Sequence, residues 1–139
     1  MLMEADKDLL IKDLCGRLSY GVKCETNRGP LPIYTMAYDG SVLFKDGIIQ
    51  FCMDNPKPYL RSLLSMTERE ENELSKKYNW KIEGNHISIR YHSEGYWDDE
   101  TECPTEEYLN LFDWLNAHYF DYRSLIKKGL ALEAPEGMY

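Results

Sequence analysis

The chain of 139 residues has the length of one domain, and its 43% hydrophobic content and eighteen aromatic residues exclude a disordered polypeptide. Its apolar runs are too short for a membrane-spanning helix. The formal net charge of −8 argues against direct binding of nucleic acid, because such proteins neutralise phosphates with Lys and Arg.

The first predicted element is a helix over residues 6–18. Asp6 is a suitable N-cap, since its carboxylate can accept a hydrogen bond from a free N–H of the first turn. The apolar residues of this segment recur at helical spacing and would form one buried stripe: Leu9, Leu10, Leu14 and Leu18.

Residues 20–53 predict an antiparallel meander. A strand over 20–25 and a turn over 27–32 precede three further strands at about 33–38, 41–45 and 48–53. The last three strands are separated by Asp39-Gly40 and Asp46-Gly47. Asp-Gly between β-rich runs is typical of a type I′ hairpin, because both residues tolerate positive φ.

The second half predicts helices around one more strand. Thr67 and Glu70 have the spacing of a capping box, so a polar helix should span 68–78. A turn at 83–85 leads into a strand over 86–92, and an acidic loop follows over 93–103. Residues 104–119 then form an amphipathic helix.

The C-terminal segment should complete the core. Asp121 can cap a short helix through Lys128, and Gly129 should adopt positive φ after it. The side chains expected to pack against the 104–119 helix are Tyr122, Leu125, Ile126 and Leu130. The elements are segregated rather than alternating, which predicts a single α+β domain over 1–139. In it, a small antiparallel sheet from 20–53 and 80–92 packs against N- and C-terminal helices.

Charge is distributed unevenly along this chain. Residues 1–90 hold thirteen acids and thirteen bases, whereas residues 91–139 hold eleven acids and three bases. No Lys or Arg stands between Arg90 and Arg123, so the carboxylates there lack local partners. One-sided charge of this kind is consistent either with a surface for a cationic partner or with a simply solvated acidic loop.

The candidate interaction residues combine the acids of the 93–103 loop with two tryptophans. Trp97 lies within that loop, and Trp114 falls beside the apolar stripe of its helix, so it either contacts a second element or is exposed. The candidates are Trp97, Asp98, Asp99, Glu100, Glu102 and Trp114.

Catalytic and metal-binding motifs do not stand out in the sequence. There is no phosphate-binding glycine loop and no nucleophile elbow. The acids at 98–102 lack the spacing of an EF-hand, and we expect no metal and no cofactor. A pair of carboxylates could still act as general acid and base, which keeps a small carboxylate-dependent hydrolase as one alternative.

The four cysteines, Cys15, Cys24, Cys52 and Cys103, are scattered and never form Cys-x-x-Cys. Scattered thiols are typical of a reducing compartment. The acidic N-terminus does not resemble a signal peptide. Together these features predict a cytoplasmic protein.

Three stretches resemble a group of short bacterial proteins. They lie at 12–23, at 58–67 and at 113–132, the last with Phe-Asp-Tyr-Arg at 120–123 followed by Gly-Leu-Ala-Leu at 129–132. The chain is thereby similar to short uncharacterised proteins of gut Bacteroides-type genomes and their prophages. The resemblance implies a bacterial or phage setting and supplies no catalytic residue.

The sequence therefore favours a non-catalytic accessory protein that binds another protein, with no membrane contact. A second possibility is an acidic mimic of DNA that inhibits a host nuclease or repressor. The carboxylate-dependent hydrolase is the third possibility. Oligomeric state does not follow from the sequence.

Overall fold

A computed structural model describes residues 2–78, 80–83, 86–89 and 105–139. Its first helix, α1, spans Glu4–Arg17 and so begins two residues before the expected start. Met3 is the N-cap, and Asp6 lies inside the first turn, where its charge still complements the positive end of the helix. A short 3₁₀ turn, Leu18–Tyr20, then ends at Gly21, whose φ is 67°.

The expected meander is confirmed. Its strands are β1 (Lys23–Thr26), β2 (Gly29–Met36), β3 (Val42–Asp46) and β4 (Ile49–Met53), antiparallel and ordered β1-β2-β3-β4. Leu10 and Leu14 of α1 pack on one face of this sheet in a buried cluster. Its other members are Val22, Cys24, Ile33, Val42, Phe44, Leu60, Leu125, Leu130 and Ala131.

β2 contains two prolines in a region where the sequence predicts a turn. The Ile33 N–H donates to the Val22 carbonyl at 3.0 Å, so alternate residues of β2 direct their N–H groups at β1. Pro30 and Pro32 take the other positions, and the pairing with β3 begins at Ile33. The prolines therefore remove no donor from either ladder, which is why the strand tolerates them.

The β3–β4 turn lies one residue later than predicted. Its two central residues are Gly47 and Ile48, and Asp46 pairs with Ile49 at the base of the hairpin. Positive φ occurs at Gly47 (63°) and not at Ile48, as in a type II′ turn rather than type I′.

The capping box at the start of the second helix is confirmed. α2 spans Glu68–Tyr78. Glu70 Oε1 accepts from the Thr67 N–H at 3.0 Å, and Thr67 Oγ1 accepts from the Glu70 N–H at 3.2 Å. Leu74 of α2 is fully buried in a second cluster, which contains residues of α3 (Thr105–Ala117).

The remaining strands form two separate pairs. β5 (Tyr59–Leu60) runs parallel to β8 (Leu132–Glu133), and β6 (Trp80–Glu83) pairs with β7 (His86–Ile89). The expectation that residues 80–92 extend the meander is therefore wrong, because β6 and β7 pair with each other outside the four-stranded order. The rest of the strand predicted over 86–92 lies outside the described residues.

The segment after α3 is a series of turns rather than the expected short helix. Asp121 caps it as predicted, since its two carboxylate oxygens accept from the Leu125 N–H at 2.9 Å and the Ile126 N–H at 3.0 Å. Gly129 has the predicted positive φ of 75°. Leu125 and Leu130 pack with α1 and the meander, so their expected docking on the 104–119 helix is wrong.

Tyr122 does pack on α3. Its ring lies 5.2 Å from the Phe112 ring, and its hydroxyl donates to Asn116 Oδ1 at 3.0 Å. Together these elements form the expected α+β fold of a meander with N- and C-terminal helices.

Candidate functional site

The two edges of the four-stranded sheet differ in how their backbone groups are covered. At the β1 edge, the outward N–H of Glu25 donates to the Lys57 carbonyl at 2.9 Å. The outward N–H of Lys23 donates to the Tyr139 hydroxyl at 2.9 Å, and a bridge joins Cys24 to Pro58. The β1 edge is therefore sealed by other parts of the chain.

Tyr139 is held firmly in this sealing position. Its hydroxyl donates to the Tyr59 carbonyl at 2.8 Å, and its ring stacks on the Tyr119 ring at a centroid distance of 3.6 Å. Burial raises the pKa of the Tyr139 phenol well above its usual value. The hydroxyl therefore stays protonated at neutral pH and keeps its role as a donor.

The opposite edge, β4, has backbone groups that point away from the sheet. In a two-residue hairpin the residues at its base form a hydrogen-bonded pair, here Asp46 and Ile49. Backbone groups alternate in direction along a strand, so the N–H and C=O groups of Ile49, Phe51 and Met53 point at β3. The N–H and C=O groups of Gln50 and Cys52 point outward, and among the described residues no strand pairs with them.

The side chains of β4 do not protect this edge. Its sequence, Ile-Gln-Phe-Cys-Met, contains no charge and no proline, and its register with β3 is unbroken over five pairs. Natural edge strands are usually blunted by lysine, proline or a bulge. β4 has none of these features, so it is suited to accept another strand.

The end of the β3–β4 hairpin is apolar and exposed. Ile48 at the turn is 98% exposed, and Ile49 is 43% exposed. Phe51 is half-buried and lies against Phe44, with 5.6 Å between the ring centroids. The Arg28 guanidinium lies 5.8 Å from the Phe51 ring and pairs with Asp46 at 3.5 Å, which braces this end of the sheet.

A buried polar network occupies the junction of α1 with the 120–123 segment. Arg17 and Asp13 are both fully buried, and Arg17 Nε donates to Asp13 Oδ2 at 2.9 Å. Arg17 Nη2 also donates to the Phe120 carbonyl at 2.6 Å, and Arg123 Nε lies 3.4 Å from Asp13 Oδ1. Arg17 further lies 5.1 Å from the Tyr122 ring. These contacts tie α1 to the chain after α3, which is a structural role.

Two further carboxylates of the described chain, those of Asp121 and Glu70, are also engaged by the fold. Asp121 caps the turns at 124–129. The Glu70 carboxylate accepts from Arg61 Nη1 at 2.8 Å and from Arg61 Nη2 at 2.7 Å. Burial opposes ionisation of Glu70, but its bonds from Arg61 and Thr67 outweigh burial and lower its pKa to about 2. A general acid needs the opposite shift.

The thiols offer no activated nucleophile in the described residues. Burial, with a smaller contribution from the Asp13 charge, raises the pKa of the Cys24 thiol to about 12. At neutral pH that thiol is protonated and unreactive. Cys15 and Cys52 are exposed free thiols, and Cys103 lies outside the described residues.

Two open grooves adjoin the β5–β8 pair. One, of about 480 Å³, is lined by Ser62, Leu64, Ser124, Lys127 and other residues, and one of about 620 Å³ lies between Arg61, Glu136 and Tyr139. In the described part of the chain, no group of three His, Cys, Asp or Glu residues could hold a metal ion. The grooves therefore offer no metal site within the described residues.

The structure places Trp114 in the core. Its side chain is 5% exposed, stacks on His118 at 4.1 Å and donates from Nε1 to Glu73 Oε1 of α2 at 3.3 Å. It therefore contacts a second element and contributes no exposed surface. The other candidates, Trp97, Asp98, Asp99, Glu100 and Glu102, lie outside the described residues.

Sequence reasoning missed β4 as a candidate site. The available signal was a five-residue strand without charge or proline, but its position at a sheet edge depends on pairing that the sequence does not reveal. No helix in the described residues is long and apolar enough to cross a membrane. The chain matches no protein-family model, no curated protein and no solved structure.

Proposed function

We propose that this protein is a non-catalytic binding protein whose β4 edge accepts an extended strand from a protein partner. The observation that carries the proposal is the contrast between the two sheet edges. The outward groups of β1 are bonded to Lys57 and Tyr139, whereas those of Gln50 and Cys52 have no partner strand in the described chain. Strand addition at an open edge is a common mode of peptide recognition.

The energetics of such a complex require side-chain contacts as well as backbone bonds. Gln50 and Cys52 offer four outward backbone groups, which would contribute roughly 4 kcal/mol in net hydrogen bonding. A micromolar complex needs about 8 kcal/mol. Burial of apolar surface against Ile49, Phe51 and Met53, at about 25 cal/mol per Å², would have to supply the remainder and also offset the entropy lost on association.

The two faces of the sheet at β4 determine which residue types the partner strand should have. Residues of the added strand that face the α1 side would contact Ile49, Phe51 and Met53, so every second residue should be apolar. A charged residue in those positions would lose hydration, and the nearest charges, Arg28 and Asp46, already pair with each other. The partner is therefore a protein segment rather than nucleic acid, since β4 presents no cation to a phosphate.

The setting that we propose is the cytoplasm of a bacterium, with the gene belonging either to the bacterium or to a phage. The free thiols Cys15 and Cys52 are exposed, which suits a reducing compartment. The DNA-mimic alternative depends on the acids at 98–102, outside the described residues, and stays a prediction. The carboxylate-hydrolase alternative has little support, since Asp13, Glu70 and Asp121 are all engaged by structural partners.

A matched pair of substitutions tests the proposal. Gln50→Pro removes an outward N–H without removing a bond to β3, whereas Gln50→Ala keeps that N–H and removes the side chain. Peptides selected on the wild type from a displayed library of extended segments should alternate apolar residues. They should bind Gln50→Ala at near wild-type affinity and Gln50→Pro at least tenfold more weakly. Equal binding to all three proteins would exclude β4 as the site.

A further inference from the structure

We propose that the strand accepted by β4 is β4 of a second copy of this chain, paired antiparallel across a two-fold axis. This inference rests on the proposed function, because it takes the β4 edge as the binding site and adds the identity of its occupant. Two four-stranded meanders would then form one continuous sheet of eight strands.

Antiparallel pairing of β4 with itself brings apolar residues opposite apolar residues, because Ile49, Phe51 and Met53 alternate with Gln50 and Cys52. An axis through Phe51 places Ile49 opposite Met53 of the second copy and Gln50 opposite Cys52 of the second copy. This is the one centre that pairs all five residues of Ile49–Met53. Because a two-fold axis normal to the sheet preserves its faces, the apolar side of each β4 continues into the apolar side of the other.

The hydrogen-bonding pattern agrees with this register. Gln50 and Cys52 carry the outward backbone groups, so the two copies would exchange four bonds between Gln50 of one and Cys52 of the other. Phe51 would face its own counterpart in a non-hydrogen-bonded pair. Side chains approach most closely in such pairs, which favours contact between the two aromatic rings.

The charge distribution permits pairing with a second copy. The chain carries a net charge of −8, but residues 1–90 hold equal numbers of acids and bases, and β4 itself has no charge. Asp54, the acid directly after β4, would fall opposite Ile48 of the second copy rather than opposite another acid. Two copies can therefore meet at β4 without the repulsion that contact between their acidic segments, residues 91–139, would cause.

The first test measures mass in solution. By light scattering coupled to gel filtration at about 50 µM, a range in which micromolar complexes form, the wild type and Gln50→Ala should show twice the 16.4 kDa chain mass. Gln50→Pro should shift to the monomer, with its thermal midpoint and circular dichroism confirming that it is folded. A dimer that persists in Gln50→Pro would overturn the inference.

The second test measures the register and does not depend on the folding of a proline variant. Gln50→Cys places a new thiol opposite Cys52 of the second copy, and disulfides can bridge such cross-strand neighbours. Mild oxidation should convert most of this variant to a covalent dimer. The double variant Gln50→Cys, Cys52→Ser and the wild type should give little. Equal cross-linking in all three would reject this register.

The two proposals can fail separately. A monomeric wild type at 50 µM whose selected peptides still lose binding in Gln50→Pro would remove the second copy and leave β4 as a binding edge. A monomeric wild type without such peptides would remove both proposals.

Discussion

Glu70 performs two structural tasks with one carboxylate. It accepts from the Thr67 N–H at the start of α2 and forms a two-bond pair with Arg61, whose guanidinium lies 4.2 Å from the Phe120 ring. One side chain thus joins the capping box of α2 to the second core cluster. The ionisation of this carboxylate should therefore affect the stability of both regions.

The first prediction concerns acid stability. The pKa of Glu70 is lowered from 4.5 to about 2, so its ionised form stabilises the fold fully above pH 4.5. That contribution is lost as the pH falls from 4.5 towards 2. After allowance for solvent screening, we expect Glu70→Gln to reduce the unfolding free energy at pH 6 by roughly 1–2 kcal/mol.

Urea unfolding at pH 6 and pH 2.5 measures this difference. The gap between wild type and Glu70→Gln should become several-fold smaller at the lower pH, where part of the ionised form remains. Glu71→Gln, at an exposed neighbouring position, is the control. A gap that is the same at both pH values would show that the charge of Glu70 is not the cause.

The second prediction concerns Gly129. Its φ of 75° lies in the left-handed region, where a Cβ is disfavoured. Gly129→Val should lower the unfolding free energy by about 1–2 kcal/mol. The neighbouring exposed change Lys128→Val should have a much smaller effect in the same denaturation experiment, and equal effects would refute the conformational explanation.

At the scale of elements, the Tyr139 hydroxyl covers the Lys23 N–H of the β1 edge, while residues 57–58 cover the rest of it. The third prediction is that Tyr139→Phe lowers the unfolding free energy by roughly 0.5–1 kcal/mol, because the Lys23 N–H and the Tyr59 carbonyl lose the hydroxyl and bond to water instead. Tyr38→Phe is the matched control, since Tyr38 is fully exposed. Hydrogen exchange at the Lys23 amide should accelerate only in Tyr139→Phe.

Elements with a strong local signal were predictable from the sequence. The Thr67–Glu70 box determined the start of α2. The capping role of Asp121 and the positive φ of Gly129 were also predictable, although the segment between them forms turns and not the expected helix. The β3–β4 turn moved by one residue because a glycine in its first central position suits a type II′ turn as well as Asp-Gly suits type I′. The Asp-Gly signal therefore predicted that a hairpin forms here but not which residues pair at its base.

Features that depend on distant parts of the chain were not predictable. The burial of Trp114 depends on α2 bringing Glu73 to its indole, 41 residues away in sequence. The open β4 edge and the sealed β1 edge depend on strand order and on Tyr139, which lies 116 residues from Lys23. Hydrophobic periodicity contains no information on such pairings.

At the scale of the whole molecule, residues 1–90 have no net formal charge, and residues 91–139 carry the whole net charge of −8. The fourth prediction concerns the acids Asp98, Asp99, Glu100 and Glu102, which lie outside the described residues. Changing them to Asn or Gln should leave stability unchanged or slightly higher, because like charges repel. If this stretch binds a cationic partner, the variant should also lose that partner.

Pull-down from the native host at several salt concentrations measures this loss. The wild-type interaction should weaken steeply with salt, as expected for exposed charges. Gln50→Pro should retain any partner held by the acids alone, which separates the two surfaces. Full retention by the acidic variant at every salt concentration would show that the stretch is not a binding surface.

A four-stranded sheet with one sealed edge can grow in one direction. When two copies join through β4, the outer edges of the resulting sheet are both β1, and both are covered by residues 57–58 and Tyr139. Pairing of this kind therefore stops at two copies. Without Tyr139, residues 57–58 would still cover Glu25 and Cys24, and only the Lys23 N–H would be left free at each outer edge. The finite size of such an assembly therefore rests on two separate covers, either of which keeps a further strand from pairing along the whole of β1.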